Sequence, residues 1–299
     1  MIALRANGVD FRAYARGPER APLALALHGF PDDPRSLLPL ADALAAAGYR
    51  VLAPYLRGYG PTGPAPDGRY DPRTLGRDVL GLIEAAGSRA GALVVGHDWG
   101  AVAGYAAAAL EPRALRALVA LAVPPPGAIV RNLRRDPGQL RRSAYMGLAR
   151  LPGGAQLLRA RNYALIERLW RRWSPGWSAD PQHLARIKHT FDYPGTPEAA
   201  LAYYRGLLSA RPWVLARTVA LLTRPLEVPT LVLGGEADGC LGPRLFAGAA
   251  DGARAPLTLS LLPGVGHWPH LEQPEAAHAA ILDWARQHAP APRPLPRAT

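Results

Sequence analysis

Cysteine and lysine are nearly missing from this chain of 299 residues, which contains only Cys240 and Lys188. A single cysteine excludes an internal disulfide bond and favours a reducing, cytoplasmic location. Arginine therefore supplies almost all of the 35 basic residues behind the net charge of +12, and apart from a denser stretch over 131–172 it is scattered. We interpret this charge as compositional bias and expect no nucleic-acid partner, because no nucleic-acid-binding motif accompanies it.

Long apolar runs are also missing, so the sequence predicts no membrane span. The N-terminal stretch MIALRANGVDFRAYARG has no apolar core followed by a small-residue cleavage site, and we expect no signal peptide. Neither a Cys/His ligand cluster nor a nucleotide-binding glycine loop is evident, so no metal or organic cofactor is predicted. An apolar content of 49% excludes a disordered chain, and the length allows one large domain that carries an insertion.

Short apolar runs alternate with helix-like segments over the first 125 residues. Strands are predicted at 11–16, 23–29, 49–54, 92–97 and 115–123, and helices at 35–48, 71–87 and 101–110. This alternation predicts a parallel sheet with helices on both of its faces.

The alternation stops at three successive prolines in VPPPGA, residues 123–128. The following hundred residues are rich in arginine and aromatic residues and are helix-like. After them, strands are predicted at 227–235 and 256–264, and helices near 242–250 and over 274–288. We therefore predict a first core part at 1–125, a helical cap at 126–225, a second core part at 226–290 and a proline-rich tail at 291–299.

A carboxylate stands where a predicted strand meets a predicted helix, in Gly96-His97-Asp98-Trp99-Gly100. Small residues two positions before and after Asp98 let its side chain project from a tight turn. The next backbone N–H then lies at a helix N-terminus and faces the reacting centre. Asp98 is accordingly either a nucleophile or an ordinary helix N-cap.

A carboxylate nucleophile needs a base that activates water and an acid that orients this base. Asp238 and His267 each follow a strand of the second core part, and the C-terminal ends of parallel strands share one rim. The order along the chain is nucleophile, acid, histidine. We therefore assign Asp238 as the acid and His267 as the base.

The stretch LALALHGFPDDP predicts the remaining part of such a site. Gly29 allows a tight turn after the strand, which leaves the backbone N–H of Phe30 facing the nucleophile. Together with the N–H of Trp99 it would form an oxyanion hole. His28 is interpreted as a structural hydrogen-bonding residue of this loop.

At these residues the chain resembles the α/β-hydrolase superfamily, and specifically its branch of epoxide hydrolases and haloalkane dehalogenases. The resemblance covers nearly the whole chain. It rests on His28-Gly29-Phe30-Pro31, on RGYGPT at 57–62, on the turn around Asp98, on Asp238 and on Gly266-His267-Trp268. It implies an α/β-hydrolase fold with a mostly parallel central sheet, helices on both faces and an inserted helical cap. No Gly-x-Ser-x-Gly occurs in the sequence, which argues against a serine esterase.

The chemistry of an aspartate nucleophile limits the leaving group. Attack on sp³ carbon gives an alkyl ester that activated water can cleave, so the leaving group is an epoxide oxygen or a halide. An alkoxide needs a proton donor, and a phenol with a pKa near 10 can act as one. By resemblance, the two cap tyrosines of epoxide hydrolases match Tyr145 and Tyr204, with Tyr203 as the alternative to Tyr204. The competing interpretation is that these tyrosines only pack the cap.

The resemblance thus implies a cofactor-independent epoxide hydrolase that forms a vicinal diol through an ester of Asp98. A haloalkane dehalogenase with the same nucleophile is the alternative, although Phe30 lacks the side-chain N–H donor that an asparagine supplies there in that group. A non-catalytic ligand-binding protein of the same fold is less favoured, because a pure binder needs no acid and base.

We expect an apolar epoxide and water as the substrates, and a monomer or homodimer. The substrate pocket is predicted to be lined by Phe30, Pro31, Trp99, Met146 and Tyr203.

Overall fold

The computed structural model describes residues 1–290, and the tail predicted at 291–299 lies outside the described residues. The strands are β1 (Ile2–Ala6), β2 (Val9–Arg16), β3 (Leu23–Leu27), β4 (Arg50–Pro54), β5 (Ala92–His97), β6 (Leu115–Leu121), β7 (Thr230–Gly235) and β8 (Leu257–Leu262). The α-helices are α1 (Leu38–Ala46), α2 (Pro72–Ala85), α3 (Trp99–Leu110), α4 (Pro126–Asn132), α5 (Gly138–Arg142), α6 (Gly154–Trp173), α7 (Pro181–Asp192), α8 (Thr196–Leu207), α9 (Pro212–Leu222), α10 (Pro269–Glu272) and α11 (Pro274–His288).

The eight strands form one sheet in the order β1-β2-β4-β3-β5-β6-β7-β8. Strand β2 is antiparallel to both of its neighbours, and all pairs from β4 to β8 are parallel. The predicted α/β architecture with a mostly parallel sheet is therefore confirmed.

Helices cover both faces of the sheet, as the strand sequences require. In β3 the alternate residues Leu25 and Leu27 contribute to one core cluster, while Ala24 and Ala26 contribute to the other. Helices α2 and α3 pack on the first face, and α1 and α11 on the second. Since both faces are buried, the central strands are apolar throughout rather than alternating.

Local signals explain where individual helices begin. Pro72 occupies the first position of α2, where its missing N–H costs nothing, and the Asp71 side chain accepts a hydrogen bond from the Thr74 N–H at 3.2 Å. Several other helices also carry a proline in their first turn.

Between β6 and β7 the described chain contains helices and connecting loops. Helix α6 is interrupted by left-handed backbone at Arg161, Asn162 and Tyr163, which the sequence pattern did not reveal. None of the helices within residues 1–290 combines the length and the apolar character that crossing a membrane requires.

One sequence prediction is wrong, and one strand was missed. The helix predicted near 242–250 is wrong, because this segment forms only a short 3₁₀ helix over Pro243–Phe246. Gly248 and Gly252 follow with φ values of 64° and 81°, and left-handed backbone ends a helix. Strand β1, which pairs with β2 at the edge of the sheet, was not predicted.

Candidate active site

Asp98 occupies a strained turn between β5 and α3. Its φ of 49° is rare for a residue with a side chain. A Cβ at Gly100 would lie 2.1 Å from the Leu27 carbonyl oxygen, so only glycine lets α3 start this close to β3. The Asp98 side chain makes no capping bond to α3, and its Oδ1 instead accepts a hydrogen bond from the Phe30 N–H at 2.8 Å. Asp98 thus stands at the N-cap position of α3, but its carboxylate does not cap the helix.

One of the two N–H groups predicted for the oxyanion hole contacts this carboxylate, and the other belongs to the residue that follows Asp98. The Phe30 N–H already contacts Asp98. Trp99 is the first residue of α3, where backbone N–H groups have no acceptor within the helix. His28 lies behind the loop, and its Nε2 accepts a hydrogen bond from the Leu56 N–H at 3.0 Å.

Asp238 and His267 meet at the rim of the sheet beside Asp98. His267 Nδ1 is 2.8 Å from Asp238 Oδ2, and His267 Nε2 is 3.8 Å from Asp98 Oδ2. Asp238 Oδ1 accepts hydrogen bonds from the backbone N–H groups of Cys240 and Leu241 at 2.6 and 3.1 Å. The carboxylate is thus held in place, and it fixes the ring of His267 with Nε2 directed towards Asp98.

The charges around His267 control its protonation. Burial alone would lower the pKa of its imidazole, but the carboxylates of Asp238 and Asp98 outweigh burial and raise this pKa to about 10. His267 is therefore an imidazolium between two carboxylates at neutral pH.

The C-terminal end of α6 contacts the loops of both residues. The Trp173 carbonyl accepts hydrogen bonds from the N–H groups of Gly239 and His267 at 3.0 and 3.2 Å. Ser174 Oγ accepts a second bond from the His267 N–H at 3.0 Å and donates to Glu272 Oε1 at 2.5 Å. These contacts were not predicted, because backbone carbonyls leave no signal in sequence.

Two tyrosines of the helical insertion face each other above Asp98. Tyr145 lies in the 3₁₀ helix Ser143–Arg150 and Tyr204 in α8, with 3.5 Å between their hydroxyl oxygens. The Tyr204 ring centroid is 5.1 Å from that of Trp99. Burial raises the pKa of both phenols well above the ordinary value, so both hydroxyls keep their protons at neutral pH.

A cavity of about 560 Å³ brings these groups together, since Asp98, Trp99, Tyr145 and Tyr204 all line it. Much of the remaining wall is apolar and includes Val102, Val123, Ile129, Leu207, Leu241 and Leu245. Such a chamber accommodates an apolar molecule and presents it to one carboxylate and two hydroxyls.

Of the residues predicted to line the pocket, Trp99 and Met146 do so and three others do not. The Phe30 ring packs behind both tyrosines, with centroid distances of 6.3 Å to Tyr145 and 5.5 Å to Tyr204. Tyr203 is fully buried and donates a hydrogen bond to the Arg57 carbonyl at 2.7 Å. The Pro31 carbonyl accepts a hydrogen bond from Trp170 Nε1 at 2.9 Å, which joins the loop to α6.

Comparison with known proteins identifies the family. The model of the alpha/beta hydrolase family matches residues 24–281, and the chain belongs to this family. It is 31% identical to Epoxide hydrolase A of Mycobacterium tuberculosis (strain ATCC 25618 / H37Rv), over 93% of this chain and 94% of that protein. It is also 30% identical to Epoxide hydrolase 3 of Xenopus tropicalis, over 96% and 77% of the two chains.

A solved structure agrees with this relationship. Epoxide Hydrolase A from Mycobacterium thermoresistibile superposes with a TM-score of 0.78 at 29% identity, covering 95% of this chain and 97% of that one. The resemblance to the epoxide hydrolase branch of the family is therefore confirmed.

Proposed function

We propose that this protein is an epoxide hydrolase that converts an apolar epoxide and water into a vicinal diol. The observation that supports this most directly is the cavity in which Asp98 lies with the hydroxyls of Tyr145 and Tyr204. Opening of an epoxide by nucleophilic attack requires a nucleophile for the ring carbon and a proton donor for the ring oxygen. The carboxylate and the two phenols can supply these groups. The relatives named epoxide hydrolases support the same reaction.

In the first half-reaction, an oxygen of Asp98 attacks one ring carbon and the carbon–oxygen bond of the epoxide breaks. Tyr145 and Tyr204 donate hydrogen bonds to the ring oxygen, and one of them transfers a proton as the alkoxide develops. The product is a hydroxyalkyl ester of Asp98. Its carbonyl oxygen lies within reach of the Phe30 N–H, which already donates to Oδ1 in the free protein.

Formation of the ester removes the charge of Asp98, and the proton of the His267 imidazolium passes by way of solvent to the tyrosinate, which leaves His267 neutral. In the second half-reaction, neutral His267 removes a proton from water and the hydroxide attacks the ester carbonyl carbon of Asp98. Asp238 stabilises the imidazolium that forms, through its 2.8 Å contact with Nδ1. The negative charge on the tetrahedral intermediate is stabilised by the N–H groups of Phe30 and Trp99. The diol leaves, and the carboxylate of Asp98 is regenerated with one oxygen from water.

The helical segment 126–225 acts as the cap in this proposal, since it supplies both tyrosines and much of the apolar wall.

The single cysteine supports a cytoplasmic location. A monomeric or homodimeric state stays a prediction.

Haloalkane dehalogenase activity is the second candidate, because the Asp98 ester would also form by displacement of a halide. The structure places the Phe30 side chain against the two tyrosines, and this side chain has no N–H to hold a halide. Halide release from a bromoalkane, measured beside diol formation from a styrene-type epoxide, separates the two activities.

The covalent ester provides the decisive test. His267→Gln should still open the epoxide but should not hydrolyse the ester, so intact-mass spectrometry should show the protein heavier by one substrate. Asp98→Ala should show neither the adduct nor turnover, and His278→Gln is a matched control outside the site that should turn over normally. Diol formation by Asp98→Ala would overturn the nucleophile assignment.

A further inference from the structure

A cluster of buried polar residues that the proposed reaction does not use lies next to the loop of His267. It consists of Asp32, which follows the Phe30 loop, His97, which precedes the nucleophile, and His270 in α10. All three side chains are buried, and each offers one ligand atom such that the three atoms lie within 4.8 Å of one another.

His97 connects this cluster to the backbone of the base. Its Nε2 is 2.9 Å from the His267 carbonyl oxygen. Because a carbonyl oxygen only accepts, Nε2 must carry the hydrogen. Burial lowers the pKa of His97 to about 3, so the ring is neutral and Nδ1 is an acceptor.

The acceptor on His97 has no partner of its own among the described residues. His97 Nδ1 lies 4.0 Å from Asp32 Oδ2, which is beyond hydrogen-bond length. Neither ring nitrogen of His270 has a hydrogen-bond partner within residues 1–290. Buried polar atoms are rarely left in this state, because nothing offsets the loss of their hydrogen bonds to solvent.

The distances distinguish the two kinds of ligand that could satisfy these atoms. Tetrahedral zinc holds nitrogen and oxygen ligands at about 2.0–2.1 Å, which puts neighbouring ligand atoms roughly 3.4 Å apart. A water molecule with hydrogen bonds of about 2.8 Å separates its partners by roughly 4.5 Å. The spacing of 4.0 Å between His97 and Asp32, within a group spanning up to 4.8 Å, fits water better than metal.

We propose that Asp32, His97 and His270 enclose one bound water molecule, which keeps His97 in the tautomer that positions the His267 backbone. The water donates to His97 Nδ1 and completes its bonds on the Asp32 carboxyl group and one nitrogen of His270. Three partners are the usual number for a buried water. The kinetic consequence rests on the proposed function, whereas the water site itself does not.

Asp32 is well placed to orient this water, because its own position is fixed from three sides. Ser36 Oγ and Trp268 Nε1 donate to its Oδ2 at 2.7 and 3.2 Å, and the Asp33 N–H donates to Oδ1 at 2.8 Å. Trp268 directly follows His267, so the network holds the base loop at two successive residues.

A crystal structure of the wild-type chain at about 1.2 Å resolution, with elemental analysis, tests the water site independently of activity. We expect a density peak of water within hydrogen-bond distance of His97 Nδ1 and the Asp32 carboxyl group, and less than stoichiometric metal. The ¹⁵N shifts of His97 should show the proton on Nε2. No density at this position, a stoichiometric transition metal, or a proton on Nδ1 would overturn the proposal.

Substitution of His97 tests the positioning role through the two half-reactions. His97→Leu removes the donor to the His267 carbonyl, and a displacement of the base by about 1 Å should slow ester hydrolysis roughly 100-fold. The alkylated enzyme should then accumulate, while alkylation itself changes little. In His97→Gln the side-chain N–H can reach the same carbonyl, so this variant should recover most of the hydrolysis rate.

His189→Leu, at an exposed position of α7, is the control for the loss of an imidazole outside the network and should behave as wild type. Equal losses of both half-reactions in His97→Leu and His97→Gln would show that His97 has only a structural role. If the wild type forms neither an ester nor a diol from any epoxide, the proposed function fails while the crystallographic test of the water stands. If His97→Leu does not fold, the water site and the tautomer still decide the proposal.

Discussion

In the proposed reaction, the charge on Asp98 would decide when His267 can act as a base. In the free protein the carboxylates of Asp238 and Asp98 together hold the pKa of His267 at about 10, and an imidazolium cannot accept a proton from water. Esterification removes the charge of Asp98 and leaves only that of Asp238. The pKa of His267 then falls, so formation of the intermediate itself prepares the base for the next step.

Asp98→Asn imitates this neutral state and tests the coupling. We expect the pKa of His267 to be near 10 in the wild type and lower in Asp98→Asn, because one of the two stabilising negative charges is gone. Titration of the His267 ring by ¹⁵N NMR measures both values. An identical pKa of His267 in the two proteins would contradict the mechanism. In the wild-type chain, single-turnover hydrolysis of the Asp98 ester should accelerate with pH up to the lowered pKa of His267 and then level off.

The adjacent residues Tyr203 and Tyr204 form a matched pair for testing proton donation. Tyr204→Phe should slow epoxide opening by about 10²–10⁴-fold, the usual contribution of a general acid. Tyr203→Phe loses only the hydrogen bond to the Arg57 carbonyl and should cost about 1 kcal/mol of stability with ring opening unchanged. Stopped-flow measurement of the alkylation phase gives both rates, and equal effects of the two substitutions would reject the role of Tyr204.

Sequence alone could not decide between these two tyrosines. Successive residues of an α-helix point about 100° apart, so only the rotation of α8 determines which phenol faces the cavity. Asp98, Asp238 and His267 were easier to find, because each follows a parallel strand and all such strand ends share one rim. The cluster of Asp32, His97 and His270 was missed, since its members come from separate loops with no common spacing.

At the scale of elements, the end of α6 supports the base loop. A Cβ placed on Gly266 would lie 2.5 Å from the Cα of Ser174, so the loop before His267 packs directly on helix backbone. The Glu272 carboxylate strengthens this contact by accepting hydrogen bonds from the N–H groups of Gly266 and Trp268 at 2.7 and 2.9 Å.

Gly266→Ala should therefore push the base loop away from α6. We expect a decrease of kcat by about 100-fold, since a misplacement of about 1 Å has this effect on a catalytic group, together with a lower Tm. Gly176→Ala in the turn after α6 is the control, because its Cβ would meet its nearest neighbour at an ordinary 3.6 Å. Steady-state kinetics and thermal unfolding of both variants decide the matter, and wild-type kinetics in Gly266→Ala would show that the loop tolerates the displacement.

Elements with strong periodicity were predictable from sequence, and elements set by tertiary contacts were not. The strand at 92–97 and the helix over 274–288 agree with β5 and α11. At the interruption of α6, the Tyr163 hydroxyl donates a hydrogen bond to the Phe191 carbonyl at 2.9 Å, a partner 28 residues away. No local pattern contains that information.

At the scale of the whole molecule, one buried arginine connects the sheet edge, the core helices and the insertion. The guanidinium of Arg57 binds Asp78 of α2 through two contacts of 2.7 Å and donates to the Asn7 carbonyl between β1 and β2 at 3.1 Å. Its carbonyl accepts the Tyr203 hydroxyl of α8. The Arg57 side chain is fully buried, and it also forms an ion pair with the partly exposed Asp67 at 2.8 Å.

Removal of this arginine should destabilise the chain as a unit. Arg57→Leu leaves Asp78 buried without its charge partner, and we expect the free energy of unfolding to fall by about 3–5 kcal/mol. Replacing the two buried members, Arg57→Leu with Asp78→Leu, should recover much of this loss. Arg5→Leu, which breaks the exposed Arg5–Asp10 pair, should cost no more than about 1 kcal/mol. Urea unfolding followed by both tryptophan fluorescence and far-UV circular dichroism should give coincident transitions that shift together in Arg57→Leu. A fluorescence transition that separates from the circular dichroism transition would instead show that the insertion and the sheet unfold independently and that Arg57 does not couple them.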